Sequence, residues 1–335
     1  MVNDVGQPVG ERRVTFVVPG RLRSSTGGNV YDRIMVEALR ARGWRVAVSD
    51  AAPERTADVV VLDSLAMPAG PPPDADRLVA LLHQLPSEAN DRPSWREPEG
   101  RVLRSASVVV TVSRHLAERV SGETRAPVVV VSPGWDRASA DRRAQDDGSV
   151  LCVAHAGPRK GVADAIAVFE RAGLDGARFR LVGDHRRDPH EAQRIDAFAA
   201  ALGPDLVLDG VLEAGVLAGR YASARVFVSA SRYEGWPIAV AEAMASGVPV
   251  VGFDVAGVRE LVRHGEDGIL TEVGDVDGLA GALRRLWTDP PLRDRMARSA
   301  RIRARSWPTW PDASRRFVEA LGSVTDGDVQ RTGAA

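Results

Sequence analysis

The sequence predicts an α/β protein made of two Rossmann-like domains, and three features lead there. Short Val-rich runs alternate with helical stretches from end to end, as parallel sheets covered on both faces require. Two complete sets of such strands occur, which fits two domains better than one large sheet. The 335 residues are too many for one ordinary doubly wound unit and about right for two.

Taken in order, the first half offers strands in VTFVVPG from Val14, WRVAVSD from Trp44, DVVVLDSLA from Asp58, RLVALLHQL from Arg77, SVVVTVS from Ser107 and PVVVVSPG from Pro127. Their β-branched content suits a buried parallel strand. A helix is predicted over Asn29–Arg42, stopped by Gly43. Pro68–Pro73 (PAGPPP) reads as a stiff surface loop inside the first domain. The second half restarts with SVLCVAHA from Ser149, followed by a helix over Val162–Ala172. It continues through FRLVGD, LVLDGVL, VFVSAS, PVVGFD and GILTEV. The polar, aperiodic stretch at 135–149 is the expected hinge. The domains are therefore set at 1–137 and 138–306. A third segment, 307–335, holds Trp307, Pro308, Trp310 and Pro311 and reads as a kinked connection to a short helix with a frayed tail.

Composition removes several classes of function. A net charge near −1 provides no global field for nucleic acid, so no nucleic-acid partner is expected. The single cysteine, Cys152, excludes an internal disulfide and a Cys-based zinc site, and its apolar setting VLCVA suits a small buried hydrophobe. The polar N-terminus has no secretory leader, and no apolar run is long enough to span a bilayer, so a cytoplasmic location is expected. Peripheral contact with a membrane surface stays open. Oligomeric state has no signature in the sequence.

Chemistry concentrates at 229–249, SASRYEGWPIAVAEAMASGVP. Glu234 and Glu242 stand eight positions apart. The first ends a strand-to-helix loop and the second lies two turns into the helix, so both can point into one cleft and grip a hydroxyl-rich ligand. Gly235 allows close backbone approach, while Trp236, Pro237 and Ile238 lead into the helix, where Pro suits the first turn. The N–H groups of that helix start offer a site for phosphate or sugar hydroxyls. The competing reading makes both glutamates solvated helix-end carboxylates.

Lys160 is the only lysine in the chain. It sits in PRKGV at another strand-to-helix junction, where an ammonium beside helix N–H groups suits a diphosphate leaving group. In a composition that otherwise uses arginine as its cation, an ordinary surface lysine is the weaker explanation. Gly27 and Gly28 follow the first strand without forming a dinucleotide fingerprint. His83 leaves the C-terminal edge of a parallel strand, where such folds bind ligands; a satisfied structural histidine is the alternative. Asp63 occupies a similar strand end and could meet an acceptor. His185, Arg186, Arg187 and His190 could form a metal- or phosphate-binding cluster, but a solvated loop explains them better, since no acidic partner has ligand spacing. Neither a metal nor a cofactor is expected.

The ordered series LVGD, DGVL, SRYEGWP, EAMASGVPVVGFDVAGVRELV and HGEDGIL, with PGWD at the hinge, resembles the retaining GT-B glycosyltransferases of the family 4 kind (glycosyl transferases group 1). The likeness covers about residues 13–320 and is strongest over 150–270. It implies two Rossmann-like domains facing a cleft, with the last segment returning to the first domain. It further implies a metal-independent hexosyltransferase that moves a sugar from a nucleotide-sugar donor to an acceptor hydroxyl with retention. By the same resemblance Lys160, Glu234 and His83 would be catalytic. Glu234 would bind the donor-sugar hydroxyls, Glu242 the nucleotide ribose, and His83 the donor sugar near the reacting carbon. Gly27, Gly28, His155, Gly183, Val211, Gly235, Trp236, Pro237 and Ile238 would complete the donor site.

One departure stands out. The family carries an arginine five residues before its lysine, and this chain has His155, so the charge there could depend on histidine protonation. Arg159 could supply a substitute cation. The acceptor is expected to be a soluble small molecule, because the first domain has no basic amphipathic helix. The Arg/Ala/Val bias resembles bacteria of high GC content. Two rival functions fit the same fold: a nucleotide-sugar epimerase, and a non-catalytic nucleotide-sugar-binding or partner protein in which His155 marks lost activity.

Overall fold

The computed structural model describes residues 12–22, 26–51, 58–69, 75–135 and 145–326. The chain divides into two compact units, Met1–Gly134 with Pro308–Ala335, and Trp135–Trp307. Most of the expected hinge at 135–149 and most of the Pro68–Pro73 loop lie outside the described residues.

In the first unit every predicted run becomes a strand: β1 (Arg13–Val17), β2 (Arg45–Ser49), β3 (Val59–Asp63), β4 (Leu78–Leu82), β5 (Val108–Thr111) and β6 (Val128–Val130). They form one parallel six-stranded sheet in the order β2-β1-β3-β4-β5-β6. The order reverses between β1 and β3, which makes their C-terminal ends the ligand-binding edge of such a sheet. Helices α1 (Gly27–Arg40), α2 (Pro86–Ala89), α3 (Arg96–Ser105) and α4 (Arg114–Val120) connect the strands. Helix α1 starts two residues before Asn29, because the Thr26 side chain accepts from the Asn29 amide and caps the turn that includes Gly27 and Gly28. It ends at Arg40, ahead of Gly43, whose φ of 83° carries the chain into β2.

The second unit repeats the plan with β7 (Ser149–Val153), β8 (Arg178–Val182), β9 (Leu206–Gly210), β10 (Val226–Ser229), β11 (Val250–Phe253) and β12 (Gly268–Thr271). Their parallel order is β12-β11-β10-β7-β8-β9, so the reversal falls between β7 and β10. Helices α5 (Val162–Ala172), α6 (Pro189–Leu202), α7 (Ala214–Ser223), α8 (Ile238–Ala245), α9 (Ala256–Leu261), α10 (Val276–Thr288) and α11 (Pro290–Ala304) cover it. Alternate residues of each central strand feed two separate cores. Val150, Cys152, Val226 and Val228 pack with Phe169 and Phe179 on one face. Leu151, Phe227 and Val250 pack with Met244 and Leu261 on the other. A sheet buried on both faces explains why these strands read as unbroken apolar runs. Each such side chain contributes roughly 1.5–3 kcal/mol by leaving water.

The Trp- and Pro-rich segment before the last helix, α12 (Trp310–Asp326), belongs half to each unit. Trp307 closes the second unit, where its carbonyl accepts from the Trp135 indole at 3.3 Å. Helix α12 closes the first, with Phe317 fully buried against Phe16 and Tyr31. Among the described residues no helix is long and apolar enough to cross a membrane.

Candidate functional site

In the second unit the candidate residues gather at the C-terminal ends of the strands, around the β7/β10 reversal. Gly161 starts α5 in the left-handed region, at φ 56°. A Cβ there would lie 2.2 Å from the Ala230 carbonyl oxygen just beyond β10, so only glycine lets the helix start dock on that strand end. The docking brings Lys160 beside Glu234, with 2.6 Å between Nζ and Oε1. Arg159 donates to the Tyr233 carbonyl at 2.9 Å and reaches the other Glu234 oxygen at 3.4 Å.

The two charges are not equally accessible. Glu234 keeps only 6% of its side chain exposed against 30% for Lys160, so the ammonium is the member a ligand reaches first. Burial pushes the Glu234 carboxyl up, but the Lys160 and Arg159 charges outweigh it and hold the group below its usual value. Burial also lowers Lys160, which Glu234 opposes and Arg159 reinforces. An anion arriving at Lys160 therefore meets a cation with a built-in counter-ion that it can displace.

Glu242 lies in α8 and meets different partners. Pro237 is the N-cap of this helix and Ile238 its first residue, one place later than the sequence suggests. Burial raises the Glu242 carboxyl and the neighbouring Tyr221 hydroxyl of α7 lowers it. That hydroxyl is buried and forms no hydrogen bond of regular geometry, so the carboxyl and phenol form an under-satisfied polar pair in the interior of the site. Gly235 is buried in the loop, and Trp236 lies edge-on to Trp307 with ring centroids 6.3 Å apart.

The remaining donor candidates line the same edge. Gly183 follows β8 at φ 138°, and a Cβ there would meet the Ala154 carbonyl oxygen at 2.1 Å. Val211 follows β9 and is 57% exposed, free to touch a ligand. His155 follows β7, where its Nδ1 accepts from the Asp184 amide at 2.9 Å. At the position where the resemblance leads one to expect arginine, this Nδ1 is thus engaged by the backbone. Arg159 is spent on Glu234 and Tyr233. Of the 185–190 cluster, Arg186 pairs with Asp196 and His190 is exposed in the first turn of α6, as a solvated surface segment requires.

In the first unit Gly28 lies in the first turn of α1, and a Cβ on it would come within 3.3 Å of the His83 ring. His83 follows β4 and binds Asp32 of α1 through Nε2 at 2.8 Å. Asp63, at the end of β3, accepts from the Leu65 amide at 2.7 Å and the Ser64 hydroxyl at 3.2 Å. Asp32 and Tyr221 carry no motif and were not among the expected residues. For Asp32 a signal existed: it shares a helical stripe with Met35, Val36 and Leu39, all buried, which places a carboxylate on an apolar face.

Comparison with known proteins bears on the family and the fold. Residues 147–289 match the family model for glycosyl transferases group 1. The chain is similar to the glycogen synthase of Mycobacterium tuberculosis, at 28% identity over 241 residues, covering 69% of this chain and 58% of that protein. The chain thus spans little more than half the length of that relative. Among solved structures it resembles the sucrose-phosphate synthase of Thermosynechococcus elongatus, with a TM-score of 0.78 and 19% identity over 95% of this chain and 100% of the other. Anabaena HepE in complex with UDP-glucose gives a TM-score of 0.75 and 18% identity, over 93% and 100% of the two chains. The fold, two parallel six-stranded sheets with their helices, is that of the GT-B glycosyltransferases.

Proposed function

We propose that this protein is a retaining, metal-independent glycosyltransferase that moves a hexose from a nucleotide-sugar donor to an acceptor hydroxyl, with a soluble small molecule as the acceptor class. The observation that carries the proposal is the Lys160–Glu234 pair at the β7/β10 reversal, with Glu242 in the adjoining helix. An ammonium beside the start of α5 suits the charge that develops on a departing diphosphate. Glu234 then accepts hydrogen bonds from the donor sugar, and Glu242 from the nucleotide ribose. Its raised, half-buried carboxyl and the under-satisfied Tyr221 hydroxyl both gain partners when a ribose diol arrives. The relatives support the donor class: the HepE structure holds UDP-glucose.

Retention means that the new bond forms on the face the phosphate leaves. Among the described residues no carboxylate is evident as a nucleophile for the two-carboxylate scheme of glycosidases, and the family resemblance implies that the departing phosphate helps deprotonate the acceptor hydroxyl.

Thermal unfolding against a panel of nucleoside diphosphates and nucleotide sugars, with chelator present, tests the donor site. One base is expected to raise the melting temperature selectively, and Glu242→Ala to abolish the rise while leaving the ligand-free melting point within a few degrees. With that donor, a screen of hydroxyl acceptors followed by NMR of the product should show the donor's own anomeric configuration. Product of inverted configuration, or a strict demand for a divalent ion, would refute the mechanism. Saturable nucleotide binding without transfer or hydrolysis would favour a binding protein.

A further inference from the structure

In the first unit, one oxygen of Asp32, one of Asp63 and a ring nitrogen of His83 all lie within 4.8 Å of one another. The carboxylates are 0% and 1% exposed. Each uses one oxygen conventionally: Asp32 Oδ1 on His83, and Asp63 Oδ1 on the Leu65 amide and Ser64 hydroxyl. Each leaves its Oδ2 buried with no hydrogen-bond partner. Two orphan acceptors on adjacent carboxyl groups are costly if both groups are ionised, because neither oxygen is solvated and the like charges repel. A single proton removes both defects, since it lets one oxygen donate to the other.

We propose that Asp32 and Asp63 share one proton, and that the resulting singly charged pair holds His83 as an imidazolium with Nε2 committed to Asp32 and Nδ1–H left as the donor for a ligand. Counting charge supports it: two carboxylates with an imidazolium would leave a net negative charge in a dry pocket, and the shared proton makes the cluster neutral. Among the described residues, the groups packed on the cluster supply no other charge. Tyr31 of α1 sets its ring edge-on to His83 at 5.1 Å and spends its hydroxyl on the Val131 carbonyl. Ser64 and the Leu65 amide are neutral, and the α12 residues that pack on Tyr31, Trp310 and Phe317, are apolar. Directions of titration agree. Burial, then Asp32, drives Asp63 up to about 7. Burial would lower His83, but Asp32 and then Asp63 raise it to about 9. Asp32 and Asp63 are thus positioning residues that act through His83.

Both raised groups stabilise the fold at low pH. The Asp63 contribution is complete below its unfolded value near 4, declines as pH rises and is gone beyond about 7; that of His83 is complete below about 6.5 and gone beyond about 9.

The meaning of this cationic donor for transfer rests on reading His83 as a substrate contact, but the protonation pattern is tested without substrate. NMR titration of ¹⁵N-histidine-labelled protein, with His83 assigned by His83→Gln, is expected to show the His83 ring charged above pH 8 in the wild type. Asp63→Asn, whose amide donates to Asp32 as the shared proton does, should keep that behaviour and flatten the fall of melting temperature between about pH 5 and 7. Asp32→Asn should bring the ring's titration to the ordinary value near 6.5 or below it. A wild-type His83 that titrates near 6.5 overturns the proposal, even if Asp32→Asn fails to fold. So does a stoichiometric divalent cation found in the purified protein by elemental analysis, because the two orphan oxygens would then be its ligands. Neither outcome bears on whether the second unit binds and uses a nucleotide sugar.

Discussion

Lys160→Ala is expected to lower kcat by at least tenfold, and on the order of 10²-fold, with the fold intact. The ammonium is the sole lysine of the chain and the exposed partner of a buried carboxylate, 2.6 Å away. Its removal takes away the charge that meets the leaving diphosphate. It also leaves Glu234 with Arg159 at 3.4 Å and the Ser231 hydroxyl. The sign of the pH effect follows. In the wild type the Glu234 carboxyl is held below its usual value, so its contribution to stability is present above the unfolded value and lost as pH falls through the depressed one. Without Lys160 burial dominates, the carboxyl rises, and acid unfolding begins at higher pH. Lys160→Arg should rescue the acid limb far better than the turnover, since a planar guanidinium cannot occupy the place of a compact ammonium. Steady-state rates and pH-dependent melting on the three proteins check both halves. Turnover near the wild-type rate in Lys160→Ala would remove this residue from the mechanism.

The second large effect is expected from a single methyl group. Gly161→Ala places a Cβ 2.2 Å from the Ala230 carbonyl oxygen at a residue whose φ is 56°. The left-handed backbone costs about 1–2 kcal/mol for a non-glycine residue, and the forced separation of helix and strand about 1–3 kcal/mol more. For a unit of this size the sum lowers the melting temperature by roughly 5–15 °C. Because α5 must back away from β10, Lys160 leaves Glu234, and turnover should fall at least tenfold even at temperatures where the protein stays folded. Gly157→Ala is the control: nothing lies within 4 Å of its Cβ position and its φ is not positive. It should change the melting point by less than about 2 °C. Equal losses in both variants would show that the loop, and not the docking of α5, governs the site.

Both effects depend on a contact that local sequence does not contain. Lys160 and Glu234 are separated by 74 positions, and they meet because β10 is threaded beside β7 in the sheet. The sequence marks each residue by its place at a strand-to-helix junction, but nothing in PRKGV or RYEGWP says that the two charges neutralise one another. The same holds for Arg159, which stood open as a phosphate-binding cation and is committed to the Tyr233 carbonyl and Glu234. The sequence reads His155 as a charge that could depend on protonation, and only the fold shows that its Nδ1 accepts a backbone amide just beyond the neighbouring strand.

What the sequence by itself determined was the set of elements. All twelve strands coincide with the short runs read as strands, and α5 spans Val162–Ala172 as its periodicity and flanking glycines indicate, because local propensity and double-sided burial write themselves into consecutive residues. Helix α1 began earlier than expected only because a side-chain cap at Thr26 extends it. Tertiary structure alone decided the electrostatics: which carboxylate is paired, which oxygen is orphaned, and which ring nitrogen is spent. The His83–Asp32–Asp63 cluster joins three elements across 51 positions. Its behaviour arises from burial and from distances of a few ångströms, and both are properties of the packed chain that no stretch of sequence carries.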